Sequence, residues 1–457
     1  MMGARLVRQE NLFYEFRLED HVPGDHLLRR IDRFVELAGL RRHLEPYYGT
    51  TGRPSIDPEL MIRMLIAGYC FGVRSERRLC EEVHLNLAYR WFCRLGLDGK
   101  VPDHSTFSKN RHGRFRDSDA FRHLFEAVVH RCIAEGLVGG EGFAVDASLI
   151  AADANKQRSV PGTDNNADWK GLARSRRAVR EYLDTLDEAA WGAASENIPK
   201  FISKSDPAAQ WSGALKGHAF FAYSDNYLID LKAAIIVDVE PTRAIRQAEV
   251  GAARTMIDRV EARFGLNPER LAADTAYGSS QMLGWLVDER GIEPHIPVFD
   301  KSARTDGTFS REDFKFDADR NVYVCPAGKI LTSTGTLVND GATLLYHASK
   351  SDCDACALKP RCCPNTPARK VPRSIHEGAR DVARDIAKTD AYTTSRRERK
   401  RIEMLFAHLK RIIGLRRLRL RGPTGAKDEF LLAATAQNLR KLAKLIPQRL
   451  AVSASAA

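Results

Sequence analysis

The sequence has no apolar run long enough to cross a bilayer, for which ~20 uninterrupted apolar residues would be needed. It also lacks an apolar leader. Met1 to Phe13 interleaves Arg5, Arg8 and Glu10, so the expectation is a cytoplasmic protein with no membrane partner. Acid is in short supply: 59 Asp and Glu stand against 71 Lys and Arg, a formal net charge of +12. A field of that sign favours a polyanionic partner, and nucleic acid is the commonest one. A basic enzyme without such a partner is the plainer alternative. Cysteine is sparse except in one stretch. Cys70, Cys80, Cys93 and Cys132 are scattered among apolar helical residues and read as small core residues. The other five fall between Cys325 and Cys363.

What is present is a soluble-protein composition, 44% hydrophobic and 28% charged, over 457 residues. That length suggests about two to four domains. Residues 1–116 read as a helical domain expected to bind DNA ends. Asp57-Pro58 starts one helix, with Asp as cap and Pro at the first helical position. A second runs from Ser75 towards Tyr89, and a third carries Lys109 and Arg111. Such short helices fit helix-turn-helix DNA binding and equally a small bundle. From Ser118 to Glu135 an amphipathic helix presents Phe121, Leu124, Phe125, Val128, Val129 and Cys132 as one stripe.

Residues 117–300 then switch to strand periodicity. Gly142–Ile150 (GFAVDASLI) reads as a strand bearing Asp146. A polar insertion covers about 155–216, with one helix from Gly171 to Ala190. Strands are expected at His218–Tyr223, Tyr227–Leu231 and Ala234–Glu240. A helix follows over Ala248–Phe264, then a short strand Arg270–Asp274 ending in an acid. Next come a helix capped by Ser279 or Ser280 and an edge strand, Ile292–Val298, containing Pro294 and Pro297. This order describes an α/β mixed sheet flanked by helices, as in the ribonuclease H-like fold. Residues 301–380 hold the cysteine cluster as an insertion. Residues 381–446 are helical and basic, with a last helix over Glu429–Leu445. Residues 447–457 read as a disordered tail.

Two-metal strand cleavage needs carboxylates gathered from distant positions, because Mg²⁺ takes hard oxygen ligands. Asp146 and Asp274 sit on strands that neighbour each other in a ribonuclease H-like sheet. A third acid would come from a helix packed on that sheet. Arg399, Glu403 and Lys410 share one face of a helix. Ile402, Leu405, Leu409, Ile412 and Ile413 form the adjacent apolar face. Glu398 points elsewhere and reads as solvated. Asp230 and Asp238 read as structural. Any one of these acids alone is more often a capping or surface carboxylate, so their joint placement carries the argument.

These residues resemble the insertion-sequence transposases of the DDE class, closest to the eleven-eighty-two group. The third-acid helix of that family carries Tyr-x2-Arg-x3-Glu-x6-Lys. Arg399, Glu403 and Lys410 match it, and Arg396 replaces the Tyr. The blocks GFAVDASLI, Phe220–Glu240 and ADTAYGS (Ala273–Ser279) resemble its strands, and Gly52–Gly68 resembles its N-terminal helices. The resemblance implies that Asp146, Asp274 and Glu403 hold two Mg²⁺ ions as catalytic ligands. It implies that Arg399 and Lys410 contact phosphate near the scissile bond. It also implies a ribonuclease H-like core that cleaves the terminal repeats of an element and transfers the freed strand to target DNA. Synapsis of two ends implies a homodimer or larger assembly.

Two further readings come from the residues. Cys325-Pro326, Cys353-x2-Cys356 and Cys362-Cys363 suggest a structural zinc held by Cys325, Cys353, Cys356 and Cys362. Cys363 is an alternative fourth ligand and His347 a less favoured one, and free or redox-active thiols are the rival explanation. The run from Arg396 to Arg421 places Arg396, Lys400 and Arg411 among many cations around Glu403, suited to double-stranded DNA phosphate. A charge run of this kind is otherwise simply a solvated face. A nuclease that cuts without joining, and a non-catalytic DNA-binding derivative, are the alternative functions.

Overall fold

The computed structural model describes residues 16–447, except positions 53, 165–166, 189, 192–197, 214–216, 301 and 303. The expectations for Met1 to Phe13 and for the tail from residue 448 lie outside the described residues. Among those described, no helix is long and apolar enough to cross a membrane.

Six strands form the larger sheet: β1 (Gly142–Ala151), β2 (Gln210–Ser212), β3 (Phe220–Asp230), β4 (Ile235–Arg243), β5 (Arg270–Ala272) and β6 (Glu293–His295). Across the sheet the order is β4–β3–β1–β5–β6, with β2 on the first residues of β3. β1 runs antiparallel to β3 over the whole of Phe143–Ala151, and β3 runs antiparallel to β4. β5 joins β1 in parallel, and β6 joins β5 in parallel. Parallel neighbours need crossovers, and the helix between β4 and β5 supplies one. β6 lies on the sheet edge, where its Pro294 is tolerated.

The expected break at Ser224–Asn226 is absent, and one long strand replaces two. Asp225 and Asn226 read as turn formers, yet both are fully buried. Asn226 satisfies its amide across the sheet, donating to Glu240 O (2.7 Å) and Thr242 Oγ1 (3.0 Å). A cross-strand partner thus overrides a local turn preference.

Five helices frame the sheet: α1 (Pro58–Cys70), α2 (Ala120–Ala134), α3 (Arg246–Phe264), α4 (Asp390–Arg411) and α5 (Gly422–Leu445). α1 begins where Asp57 Oδ1 accepts from Glu59 N, with Pro58 at its first position. All six stripe residues of α2 are buried. α5 starts seven residues earlier than the sequence suggested, at Gly422 and not Glu429. Pro423 explains the difference, since proline suits the first helical turn. The helix expected over Gly171–Ala190 is two helices, Trp169–Ser175 and Arg177–Asp184.

The N-terminal helices do not have a core of their own. Leu28, Met61, Leu65 and Phe92 belong to the same apolar cluster as Phe143, Ile236 and Leu439. α5 is the shared wall. Its Asn438 bonds both Ile236 N (3.0 Å) and Ile236 O (2.8 Å), while Arg440 donates to Cys70 O at 2.7 Å. Arg111, read as a basic residue near DNA, is instead buried in ion pairs with Glu76 and Asp428.

A second, smaller sheet fills residues 315–374. Its order is Leu337–Val338, Thr343–Ala348, Ile330–Thr332, Val322–Val324 and Lys315–Asp317, with Lys370–Ser374 also on Thr343–Ala348. Phe314, Tyr323, Leu331, Tyr346 and Val371 make its core together with Cys353 and Cys363. An ion network fastens it to the body. Arg311, Arg380 and Arg384 each reach Asp300 at 3.0–3.1 Å and Glu377 at 2.6–3.0 Å. Burial opposes charge on Asp300, but the Ser302 hydrogen bonds and the arginines outweigh it and carry its carboxyl down to about 2.

Candidate functional site

Sheet register brings the first two acids together. β1 and β5 pair in parallel as far as Ala144 opposite Ala272. Two residues further along each chain stand Asp146 and Asp274, on adjacent tracks spaced about 4.8 Å apart in a sheet. Asp274 lies just past β5, not within it. It caps a 3₁₀ turn, accepting Ala276 N at 2.8 Å. Arg246, at the start of α3, clamps that turn by donating to Thr275 O (3.2 Å) and Ala276 O (2.9 Å). Gly278 closes the turn against backbone. A Cβ there would meet Pro297 O at 2.0 Å, so a larger residue would displace the loop.

The third acid is placed by packing. Asp146 stands opposite Tyr227 in β3, and directly paired residues project from the same face. Phe406 of α4 stacks on that Tyr227 ring, with centroids 5.2 Å apart and planes 12° apart. Glu403 lies one helical turn before Phe406, and its charge reaches Asp146. Ile402, Leu405, Leu409 and Ile413 are buried as expected, whereas Ile412 is exposed past the end of α4. Gln437 of α5 locks the helix, donating to Leu405 O at 2.7 Å.

The electrostatics record this convergence. Burial pushes the Asp146 carboxyl up to about 6; the Ala147 N–H and Arg399 oppose the rise, while Asp274 and Glu403 add to it. Asp274, Glu403 and Arg399 thus all act on Asp146. Arg399 is half-buried beside the acids, and Arg396, Lys400 and Arg411 are exposed on the same helix. Lys410 is half-buried. Burial lowers its pKa, and the charge of fully buried Asp225 opposes that fall. Glu398 is not simply solvated, since Arg270 pairs with it at 3.3 Å. Asp238 binds Arg122, and Asp230 accepts Gly139 N and Gly140 N, in keeping with structural roles.

Two site residues were missed by the sequence reading. Glu249, near the start of α3, accepts from Ser224 Oγ. Burial raises its carboxyl, and the Asp274 charge adds to the rise. Tyr277 is 3% exposed, and its hydroxyl has no hydrogen-bond partner among the described residues. Burial pushes its phenol up, and Glu249, Asp146 and Asp274 push it further. Tyr277 stands in the ADTAYGS block, whose spacing to Asp274 was the available signal.

An all-carboxylate donor set suits a hard divalent ion. Asp146 and Asp274 each have one oxygen on a backbone N–H and a second free of hydrogen bonds among the described residues. Among the described residues, no group of three or more His, Cys, Asp or Glu side chains is placed closely enough to hold a metal ion. The same holds for the cysteines. Cys325, Cys353, Cys356, Cys362 and Cys363 nevertheless line one cavity of about 20 Å³, and His347 does not line it. The Cys363 thiol touches those of Cys353 and Cys362, and Cys325 Sγ accepts Lys329 N at 3.3 Å. Cys70, Cys93 and Cys132 are buried in the main core, and Cys80 is half-buried.

Two protein-family models match the chain. One, described as a transposase domain (DUF772), covers residues 16–113. The other, described as a transposase DDE domain, covers residues 324–443 and so includes Glu403 and the cysteine cavity. Asp146 and Asp274 lie outside both. Among solved structures, the chain is similar to the piggyBac transposase in a synaptic complex with hairpin DNA. That match has 10% identity over 90% of this chain and 71% of the other, with a TM-score of 0.31, too loose to carry an argument.

Proposed function

From the premise that the chain is an insertion-sequence transposase of the DDE class, we propose that its larger sheet is a ribonuclease H-like core. In this reading the core cleaves the ends of its element and joins them to target DNA. The strand order β4–β3–β1–β5–β6, antiparallel on one side of β1 and parallel on the other, supports that core. The observation that carries the reading is the parallel register of β1 and β5, which sets Asp146 and Asp274 on adjacent tracks, with Glu403 and Arg399 of α4 near enough to act on the Asp146 carboxyl.

In this reading the three carboxylates hold divalent ions, Mg²⁺ or Mn²⁺, which supply Lewis acidity at the attacked phosphate and its leaving oxygen. Asp146 and Asp274 are fixed by their backbone hydrogen bonds, so their remaining oxygens are aimed before substrate arrives. Arg399 neutralises part of the carboxylate charge and receives a phosphate oxygen. Arg396, Lys400 and Arg411 hold the flanking backbone of double-stranded DNA. Lys410 is the weakest of the family-matched cations for that role, because Asp225 already faces it. Attack by water breaks the P–O3′ bond at the element end and leaves a 3′ hydroxyl. That hydroxyl then displaces a 3′ oxygen in target DNA. Two or more copies bring the two ends together.

Zinc at Cys325, Cys353, Cys356 and Cys362 is part of the same proposal, supported by the shared cavity and the thiolate donor set. Cys363 is the nearer competitor for the fourth position, since its thiol touches two of the others. Metal analysis of reduced protein tests this, and protein without zinc ends it. The central reading is tested by Asp146→Asn, Asp274→Asn and Glu403→Gln with terminal-repeat DNA and Mg²⁺. Each is expected to abolish cutting and joining in a folded protein, and full activity in any one removes that residue from the site. Strand-transfer products separate a transposase from a nuclease.

A further inference from the structure

Past the carboxylates, β1 runs on to Ala151 and meets a segment of opposite character. Ala151 N donates to Arg416 O (3.2 Å) and Leu418 N donates to Ala151 O (2.7 Å), so residues 416–418 lie alongside the end of the strand. Leu415 and Leu418 turn inward, whereas Arg416, Arg417 and Arg419 stay exposed. Two clefts open on either side of this segment and share Asp153 and Arg417. One, about 850 Å³, is lined by Arg158, Arg176, Arg177, Lys204, Arg417 and Arg421. The other, about 510 Å³, is lined by Arg74, Arg78, Arg416, Arg417 and Arg419. Among the described residues Asp153 is the one acid in either lining, and Arg417 (2.9 Å) and Arg421 (2.8 Å) already neutralise it.

The insertion after β1 completes this surface. Arg176 donates to Lys204 O (2.8 Å) and Arg177 to Arg421 O (3.2 Å), which ties its helices to the C-terminal segment. Arg158, Arg176 and Lys204 are exposed and form no salt bridge among the described residues. Unpaired cations crowded around one cleft repel each other unless an anion enters. Among the described residues, no aromatic side chain lines either cleft. Proteins that bind single strands stack bases on aromatic rings, so the lining suits the phosphates of a duplex.

We propose that the two clefts form one phosphate-binding track, built by Arg158, Arg176, Arg177 and Lys204 with the Arg416–Arg421 segment, that grips duplex DNA away from the cutting site. This rests on the transposase reading. Five residues of extended chain separate Asp146 from Ala151, about 17 Å, or about five base pairs of duplex. The track therefore holds DNA half a turn from the bond that reacts, and the polar insertion is part of the DNA-binding surface.

The test is binding of a labelled 30-base-pair mixed-sequence duplex between 50 and 200 mM KCl. The triple variant Arg158→Ala, Arg176→Ala, Lys204→Ala is expected to bind at least tenfold more weakly at about 100 mM salt. Its slope of log affinity against log salt becomes shallower by about 2–3. A control that removes equal charge from positions lining neither cleft, Lys315→Ala, Arg320→Ala, Lys350→Ala, is expected to stay within about twofold of the parent. The charge-keeping variant Arg158→Lys, Arg176→Lys, Lys204→Arg restores binding. If the cleft triple is folded and binds no worse than the control, the track is refuted. Tighter competition by a single strand than by the duplex refutes it as well. Binding is read on uncut duplex without divalent ion and the carboxylates are read by cutting, so failure of the track and failure of the carboxylate assignment are distinguished.

Discussion

The sheet that carries Asp146 and the sheet beside Cys363 hold their chemistry in place by different means. The first is set by register and packing: β1 is paired along its whole length, and Phe406 on Tyr227 seats Glu403. The second has a short apolar core, in which two of the residues are cysteines, and it leans on buried ions around Asp300 and Glu377. The contrast predicts that the proposed carboxylates of the first sheet can be replaced with little loss of fold, whereas the ions beside the second cannot.

The sharpest test of that contrast is the loss of one acid. Asp146→Asn or Glu403→Gln is expected to lower strand cleavage by about a thousandfold or more, equal to roughly 4 kcal/mol of barrier. Melting temperature should stay within a few degrees, read by calorimetry, because neither acid has a structural ion-pair partner at salt-bridge distance. Glu377→Ala reverses the pattern. It leaves three arginines facing an emptied buried site and is expected to cost about 3–5 kcal/mol of stability. Urea unfolding and hydrogen exchange should place that loss in residues 309–384, with little change in β1. Phe406→Leu lies between the two. It keeps volume but removes the ring stack, worth about 1 kcal/mol. Cutting is expected to fall about tenfold while DNA binding holds, which would show packing acting on Glu403.

The smallest effect concerns pH. Asp206 is fully buried and accepts from Tyr223 Oη and Gly422 N (3.2 Å). Burial pushes its carboxyl up to about 7 from 3.8. Between those values the folded chain keeps the proton and the unfolded chain releases it. Stability is therefore favoured at low pH and declines as pH rises towards 7, by about 1.4 kcal/mol per unit at most. Asp206→Asn should flatten that decline, as measured by denaturation midpoints from pH 4.5 to 7.

Much of the larger sheet was legible because its strands alternate or run apolar between clear turn residues, and α2 and α4 show their stripes plainly. The strand positions of two acids were legible, Asp146 inside β1 and Asp274 just past the end of β5, while the assignment of all three acids stays part of the proposal. Three features were not. Asp225-Asn226 reads as a turn, and only the partner strand reveals that its polar atoms are met inside the sheet. Glu249 looks like one more helix-surface acid until Ser224 and Asp274 are seen beside it. The ion pairs of Arg111 were not legible, because basic residues on a short helix give no sign that Glu76 and Asp428 wait in distant elements. Each failure has the same physical source: the deciding contact is far away in sequence.

α5 has a consequence for how the protein is made. The ribosome produces the helices of the first hundred residues long before it reaches Gly422, yet their apolar faces close on that final helix. The nascent chain therefore carries uncovered hydrophobic surface through nearly the whole of translation, and a message truncated ahead of α5 yields a product without a completed interior.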